Sequence, residues 1–362
     1  MRLSYIVLAE DVDSGASDLA ERFHIAEWYG RPFQDLTPEE RVALAGHKVG
    51  AHTMKKAALV RLVALEQKAE LGALTAKEQE RLDALTALLD LQHAGEQPCP
   101  FRTDTTHPIC TKPGGVCSLR LYTDEGGEFR PLDGDRGMIR ALCPYRFHQG
   151  DTAFRHIGAR LLGDPTPTQV GEVGFLESTG NLDSAAGEDV GRIDMILVAE
   201  QTVADSDLKW CAVEVQAVYF SGREMAIEFR DIIERGGAAA MPVEGRRPDY
   251  RSSGPKRLMP QLQIKVPTLR RWGKKMALLV DRAFFLSMGE MRRVEHLSNC
   301  DVVWFLADFV RDPGEATYRL EIVDEFGTTL ESAIEGLTGG EAVSLEEFEA
   351  RIRGKFLPRS LA

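Results

Sequence analysis

Apolar positions along this 362-residue chain follow two different periods. Met54, Ala58, Leu62 and Leu65 recur at helical spacing, the pattern breaks near Gly72, and Leu82, Leu85, Leu88 and Leu89 resume it, as amphipathic helices do. Thr37-Pro38-Glu39-Glu40 offers an N-cap, a proline at the first helical position and an acidic first turn. Thr75-Ala76-Lys77-Glu78 opens the next helix with a capping box. Residues 37–93 therefore read as a helical hairpin, for which packing or dimerisation is the ordinary role. Ala16 to Tyr29 reads as a shorter helix. From Gly95 to Gly150 periodicity vanishes and Pro, Gly, Thr and Cys dominate, so this stretch is expected to need a cross-link in place of a core. Strand signals return from Gly171, strongest over Ile193–Ala199 and Trp210–Phe220, followed by a helix over Glu224–Glu234. Lys275–Asp281 and Asp301–Val310 read as buried strands, Tyr318–Val323 as an edge strand and Leu345–Gly354 as a final helix. Strands alternating with helices predict an α/β (α+β) fold with a mixed central sheet flanked by helices.

Length and 43% apolar content allow two or three domains. The expected division is a helical region over 1–95, a cysteine module over 96–150, a catalytic core over 151–310 and an acidic extension over 311–362. The apolar stretches are too short to span a membrane, and six cysteines are too few for a disulfide framework; both fit a soluble, cytoplasmic protein. The net charge of −12 disfavours nucleic acid when taken alone. Its distribution changes that: Arg246 to Lys275 carries ten Lys and Arg against one acid, a candidate phosphate-facing segment in which Lys256, Arg257, Arg270 and Arg271 are the expected DNA contacts. No P-loop, HExxH helix or GxSxG elbow is present, which removes ATP-driven, zinc-protease and α/β-hydrolase readings.

Two constellations carry chemistry. Cys99, Cys110, Cys117 and Cys143 lie among glycines and prolines that let a backbone turn sharply. Four such thiolates suit a tetrahedral zinc or iron ion held for structure, since no position stays open for water. His107 is an alternative ligand, and four unrelated buried cysteines are the competing reading. The second constellation is Asp194 in one apolar strand and Glu214-Val215-Gln216 in the next. Alternation puts Glu214 and Gln216 on one face, and carboxylates amid apolar neighbours need a compensating cation. That arrangement makes a hard-oxygen site for Mg²⁺, with Glu177 a further acidic candidate and Glu172, Asp183, Glu188 and Asp189 near enough to compete. Pairing with arginines such as Arg192 or Arg223 is the alternative.

Asp194 followed by Glu214-Val215-Gln216 resembles the PD-(D/E)xK nuclease signature, with Gln216 at the usual lysine position. Cys99-Pro100-Phe101, Gly115-Val116-Cys117, Leu142-Cys143-Pro144, Phe220-Ser221-Gly222 and the early Ile25-Ala26-Glu27-Trp28-Tyr29-Gly30 sharpen this into a resemblance to the NotI family of type II restriction endonucleases. The resemblance implies a PD-(D/E)xK core and a homodimeric, Mg²⁺-dependent enzyme cutting double-stranded DNA at a palindromic, GC-rich site. It also implies a cognate DNA methyltransferase as partner. Asp194, Glu214 and Gln216 would be catalytic, Glu177 the additional upstream acid, and the four cysteines ligands of a structural iron or zinc. A repair nuclease that cuts by structure, or a non-catalytic DNA-binding protein with a structural tetra-cysteine site, is the competing function.

Overall fold

The computed structural model describes residues 21–47, 56–94, 97–102, 108–125, 128–180, 187–200, 208–222, 224–339 and 343–356. Its first sheet is built by β1 (Arg22–Trp28), antiparallel to β2 (Val116–Glu125), with Arg31–Pro32, Glu128–Pro131 and Arg140–Ala141 as short additions. This corrects two expectations. The described part of Ala16–Tyr29 is a strand, because Ile25, Ala26, Glu27 and Trp28 are all buried and a helix would expose some of them. The cysteine-bearing stretch also has a core, in which Ile25, Trp28, Phe33, Phe101, Val116 and Leu119 pack with Cys99, Cys110 and Cys117. The aromatic residues on the distant β1 supply what the stretch lacks by itself.

Between β1 and β2 lie α1 (Pro38–Gly46), α2 (Lys56–Glu70) and α3 (Ala76–Ala94). The capping box at Thr37 forms as expected, with Thr37 Oγ1 accepting from Glu40 N and Glu40 returning the bond. Thr75 and Glu78 do the same at the start of α3. The predicted hairpin is thus present, although residues 48–55 lie outside the described residues.

After α4 (Thr152–Leu162) comes the central sheet: β3 (Thr168–Glu177), β4 (Asp189–Val198), β5 (Trp210–Gln216), β6 (Met276–Asp281), β7 (Val302–Val310) and β8 (Arg319–Thr328), neighbours in that order. The pairs β3/β4, β4/β5 and β7/β8 are antiparallel, whereas β5/β6 and β6/β7 are parallel. The parallel join needs a crossover, and the 59 residues from 217 to 275 supply it with α5 (Ala226–Glu234) and α6 (Met259–Arg271). The middle strands are covered on both faces, which is why Met276-Ala277-Leu278-Leu279-Val280 reads as an unbroken apolar run.

One face packs Phe154 and Ile157 of α4 against Val213, Leu279 and Phe305. The other packs Leu262, Val266 and Leu269 of α6, with Ala333 and Leu337 of α7 (Leu330–Thr338), against Ala212, Leu278 and Trp304. Each large aliphatic side chain buried there contributes roughly 1.5–3 kcal/mol, enough to fix the position of α6 over β5. The helix α8 (Leu345–Phe356) forms where expected. No helix among the described residues is long and apolar enough to cross a membrane.

Candidate active site

Antiparallel pairing sets the geometry. Met195 faces Val213, so one step further along the ladder Asp194 comes opposite Glu214. Backbone N–H of Val215 donates to the Asp194 carboxylate, and the two acids lie within hydrogen-bonding reach of each other. Glu214 shares its face with Ala212, beneath α6, and its side chain is 5% exposed. Asp194 stands at the mouth with 48% of its side chain accessible, more open than a strand-buried acid was expected to be. The charge that compensates the pair is Lys265 of α6: its Nζ donates to Glu214 Oε2 at 2.6 Å and lies 4.0 Å from Asp194 Oδ1. Burial, reinforced by the neighbouring Asp194 and opposed by Lys265, pushes the Glu214 carboxyl up to about 7. Desolvation also raises Asp194, against the pull of Lys265 and the Val215 amide.

Gln216 is half-buried on the same strand, and its Nε2 donates to Ala217 O at 2.6 Å. With Asp194 and Glu214 it lines a cleft of about 890 Å³ that also holds Lys256 and Arg257. The Arg257 guanidinium stacks 3.5 Å over the Tyr219 ring, another cleft residue. The opposite wall comes from the cysteine-bearing segment, through Lys112, Leu142 and Pro144.

Other predicted residues fall elsewhere. Glu177 is exposed and faces Asp189, whereas Gly171 faces Met195 and Val173 faces Ile193, so Glu172 is the acid across from Asp194. Five residues of extended chain, about 16 Å, separate Glu177 from that position. Glu172 acts electrostatically on Asp194 and pairs with Arg192 at 3.2 Å. Nor do the ten basic residues of Arg246 to Lys275 form one surface. Arg246 is buried against Glu228, Lys265 turns inward, Arg270 pairs with Asp301, and Arg271 donates to Thr268 Oγ1 at the far end of α6. Nothing in the local sequence set Lys265 apart from the other basic residues of this run, and the signal for Glu172, in a Gly-Glu-Val-Gly strand, was slight.

The four cysteines are free and buried. Hydrogen bonds gather their loops: Cys99 N to Pro108 O at 2.6 Å, Cys110 N to Gln97 O at 2.8 Å, and both Leu142 N and Cys143 N to Cys117 O. Gly30 N points at Cys117 Sγ, 3.3 Å away. Gly115 turns the chain at φ +65°, and a Cβ there would lie 2.1 Å from the Tyr29 ring, so only glycine fits. The thiols influence one another, and Lys112, a buried amine among them, donates to Leu142 O. As placed, however, they do not form a closed donor cage: among the described residues no three His, Cys, Asp or Glu side chains are grouped to hold an ion. His107 lies outside the described residues.

Residues 83–320 match the family model described as restriction endonuclease NotI. The chain belongs to the NotI family. That makes it a restriction endonuclease, an enzyme that hydrolyses DNA. The match runs from α3 into β8, and so takes in all four cysteines, both acids, Gln216 and Lys265. No curated protein matches the chain.

Proposed function

We propose that the protein is a type II site-specific endonuclease with a PD-(D/E)xK core, cutting double-stranded DNA as a homodimer at a palindromic, GC-rich site. A cognate methyltransferase would protect the host, and both proteins would work in the cytoplasm. The observation that carries the catalytic reading is the pair Asp194 and Glu214, set opposite each other on adjacent strands in the cleft that contains Lys256 and Arg257. The dimer and the site symmetry rest on family resemblance.

The donor set fits Mg²⁺: two carboxylates in mutual reach, one open to the cleft, with a single buried ammonium against their two charges. When bound, the ion supplies Lewis acidity, lowering the pKa of a coordinated water and offsetting charge on the phosphorane-like transition state. Asp194 and Glu214 would hold it, while Glu172, opposite Asp194 in the ladder, acts on that acid through its charge. Gln216 cannot ionise, so it cannot take a proton; one of its two amide N–H groups is held by Ala217 O, and its carbonyl oxygen is the group that would accept from the attacking water and orient it. Lys256 and Arg257 would clamp the phosphates beside the cut, while Arg270 and Arg271 would meet the duplex further out.

The cysteines fit a structural iron or zinc by chemistry. Burial pushes the Cys110, Cys117 and Cys143 thiols up, and a bound cation is the means by which such thiols become thiolates. The closed tetrahedral arrangement would then form with the ion.

Digestion of unmethylated plasmid and phage DNA with Mg²⁺, followed by sequencing of the ends, tests the reading. Discrete fragments with a common two-fold end sequence are expected, and none from Asp194→Asn or Glu214→Gln. Full activity in either variant would remove the site assignment.

A further inference from the structure

We infer that Lys265 is a built-in counter-cation which holds down the affinity of the DNA-free site for divalent ions. The inference rests on reading Asp194 and Glu214 as the metal-binding carboxylates. Its ground is placement. Among the described residues Lys265 is the basic side chain ion-paired with this pair, and it is 3% exposed. Its neighbours on α6, Leu262, Val266 and Leu269, are packed into the sheet, which holds the helix with its ammonium over Glu214. The strand offers no substitute charge, because Gln216 is neutral and its amide nitrogen is turned to Ala217 O. Glu172, the next acid, is already matched by Arg192.

The charge count follows. With both carboxyls ionised, as at the alkaline pH of the Mn²⁺ titration, Asp194 and Glu214 together carry −2, and the buried ammonium brings the cluster to −1. A divalent ion arriving in the DNA-free enzyme therefore meets half the charge that two carboxylates would present. It also meets a fixed positive charge a few ångströms from where it must sit, at low local dielectric. A phosphate drawn in by Lys256 and Arg257 adds anionic oxygens of its own beside the pair and so offsets the ammonium. Lys265 is thus a positioning residue: it keeps Glu214 aimed while the cleft is empty, and it makes cation binding depend on the substrate.

Mn²⁺ titration of the DNA-free protein at pH 8.5, read by the EPR signal of free Mn²⁺, tests this. Lys265→Met should bind Mn²⁺ about ten- to a hundredfold tighter than wild type, and Lys265→Arg should bind as wild type does. Lys265→Gln, which keeps a hydrogen bond to Glu214 but no charge, is the second uncharged variant if the Met protein does not fold. In a further variant, Gln216→Lys added to Lys265→Met returns the affinity toward wild type by supplying the charge from the strand. A purely structural role predicts weaker binding on loss of the lysine. Weaker or unchanged Mn²⁺ affinity in the uncharged variants overturns the inference. Undiminished Mn²⁺ binding in Glu214→Gln would instead overturn the carboxylate reading on which it rests.

Discussion

Replacing Arg146 with methionine should destabilise the protein by about 3–5 kcal/mol, the cost of breaking a buried ion pair by removing one partner. Arg146 has no accessible side-chain surface, and neither has Glu27. Its Nε donates to both Glu27 oxygens, at 3.0 and 2.8 Å; one terminal nitrogen reaches Gln149 Oε1 at 2.9 Å and the other Tyr318 O at 3.0 Å. The guanidinium lies 4.5 Å from the Phe101 ring centroid and 4.4 Å from that of Phe309. One side chain thereby ties β1, the segment after Cys143 and the approach to β8. Without it Glu27 keeps, among the described residues, the side-chain bond from Ser118 Oγ, at 2.6 Å. Domains are stable by about 5–15 kcal/mol, so the loss is a large share of the total. At about 2–4 °C per kcal/mol for a chain of this order, the melting temperature should fall by roughly 6–20 °C. Urea unfolding followed by tryptophan fluorescence measures it. The stricter assay adds Glu27→Met: with both charges gone, the double variant should recover part of the loss, since an apolar pair of similar volume is often near neutral. Losses in the two single variants that simply add in the double would refute the argument that an uncompensated charge is the cost.

Other outcomes follow from the same structure. His24 is buried, its Nδ1 has no hydrogen-bond partner among the described residues, and burial beside Arg246 and Arg41 lowers it to about 3. The unfolded chain takes up this proton below about 6.5 and the folded one does not, so stability falls as pH drops through that window by up to about 1.4 kcal/mol per unit; His24→Phe should flatten the curve there by that amount. Asp281, fully buried and raised to about 7, works in the opposite sense, its burial costing stability as pH rises from about 4 to 7; Asp281→Asn should weaken that decline in the same unfolding series. Lys256→Ala and Arg257→Ala should each lower the slope of log K against log salt by about one, measured by fluorescence anisotropy with DNA. Iron or zinc should be found by elemental analysis and lost in Cys117→Ser, together with thermal stability.

The central sheet was legible because its signals are local. Met276–Val280 and Val302–Ala307 are continuous apolar runs, and Thr75–Glu78 writes its cap within four residues. The first sheet was not, because β1 and β2 lie 87 residues apart from Trp28 to Gly115 and pair across the whole hairpin. Read alone, Arg22–Trp28 mixes Glu, His and aromatics in an order that suits either a helix or a strand. Only the partner strand, and the buried bonds of Glu27 to Arg146 and Ser118, settle it.

The site divides along the same line. Asp194 and Glu214 could be paired from sequence because they sit on consecutive strands, twenty residues apart, and alternation fixes their faces. Glu172 and Glu177 could not be ranked, because a ladder with register shifts after Gly174 decides which acid meets Asp194. Lys265 is harder still: in sequence it is one of ten positive charges, with nothing to separate it from Lys256 or Arg270. What singles it out is that α6 crosses back over β5 with Val266 and Leu262 facing down, so the residue between them on the helix surface meets Glu214. A charge tally along the chain counts that lysine as available to DNA. The fold spends it on the carboxylates, and the basic surface in the cleft is smaller, and nearer Asp194 and Glu214, than the basic run suggests.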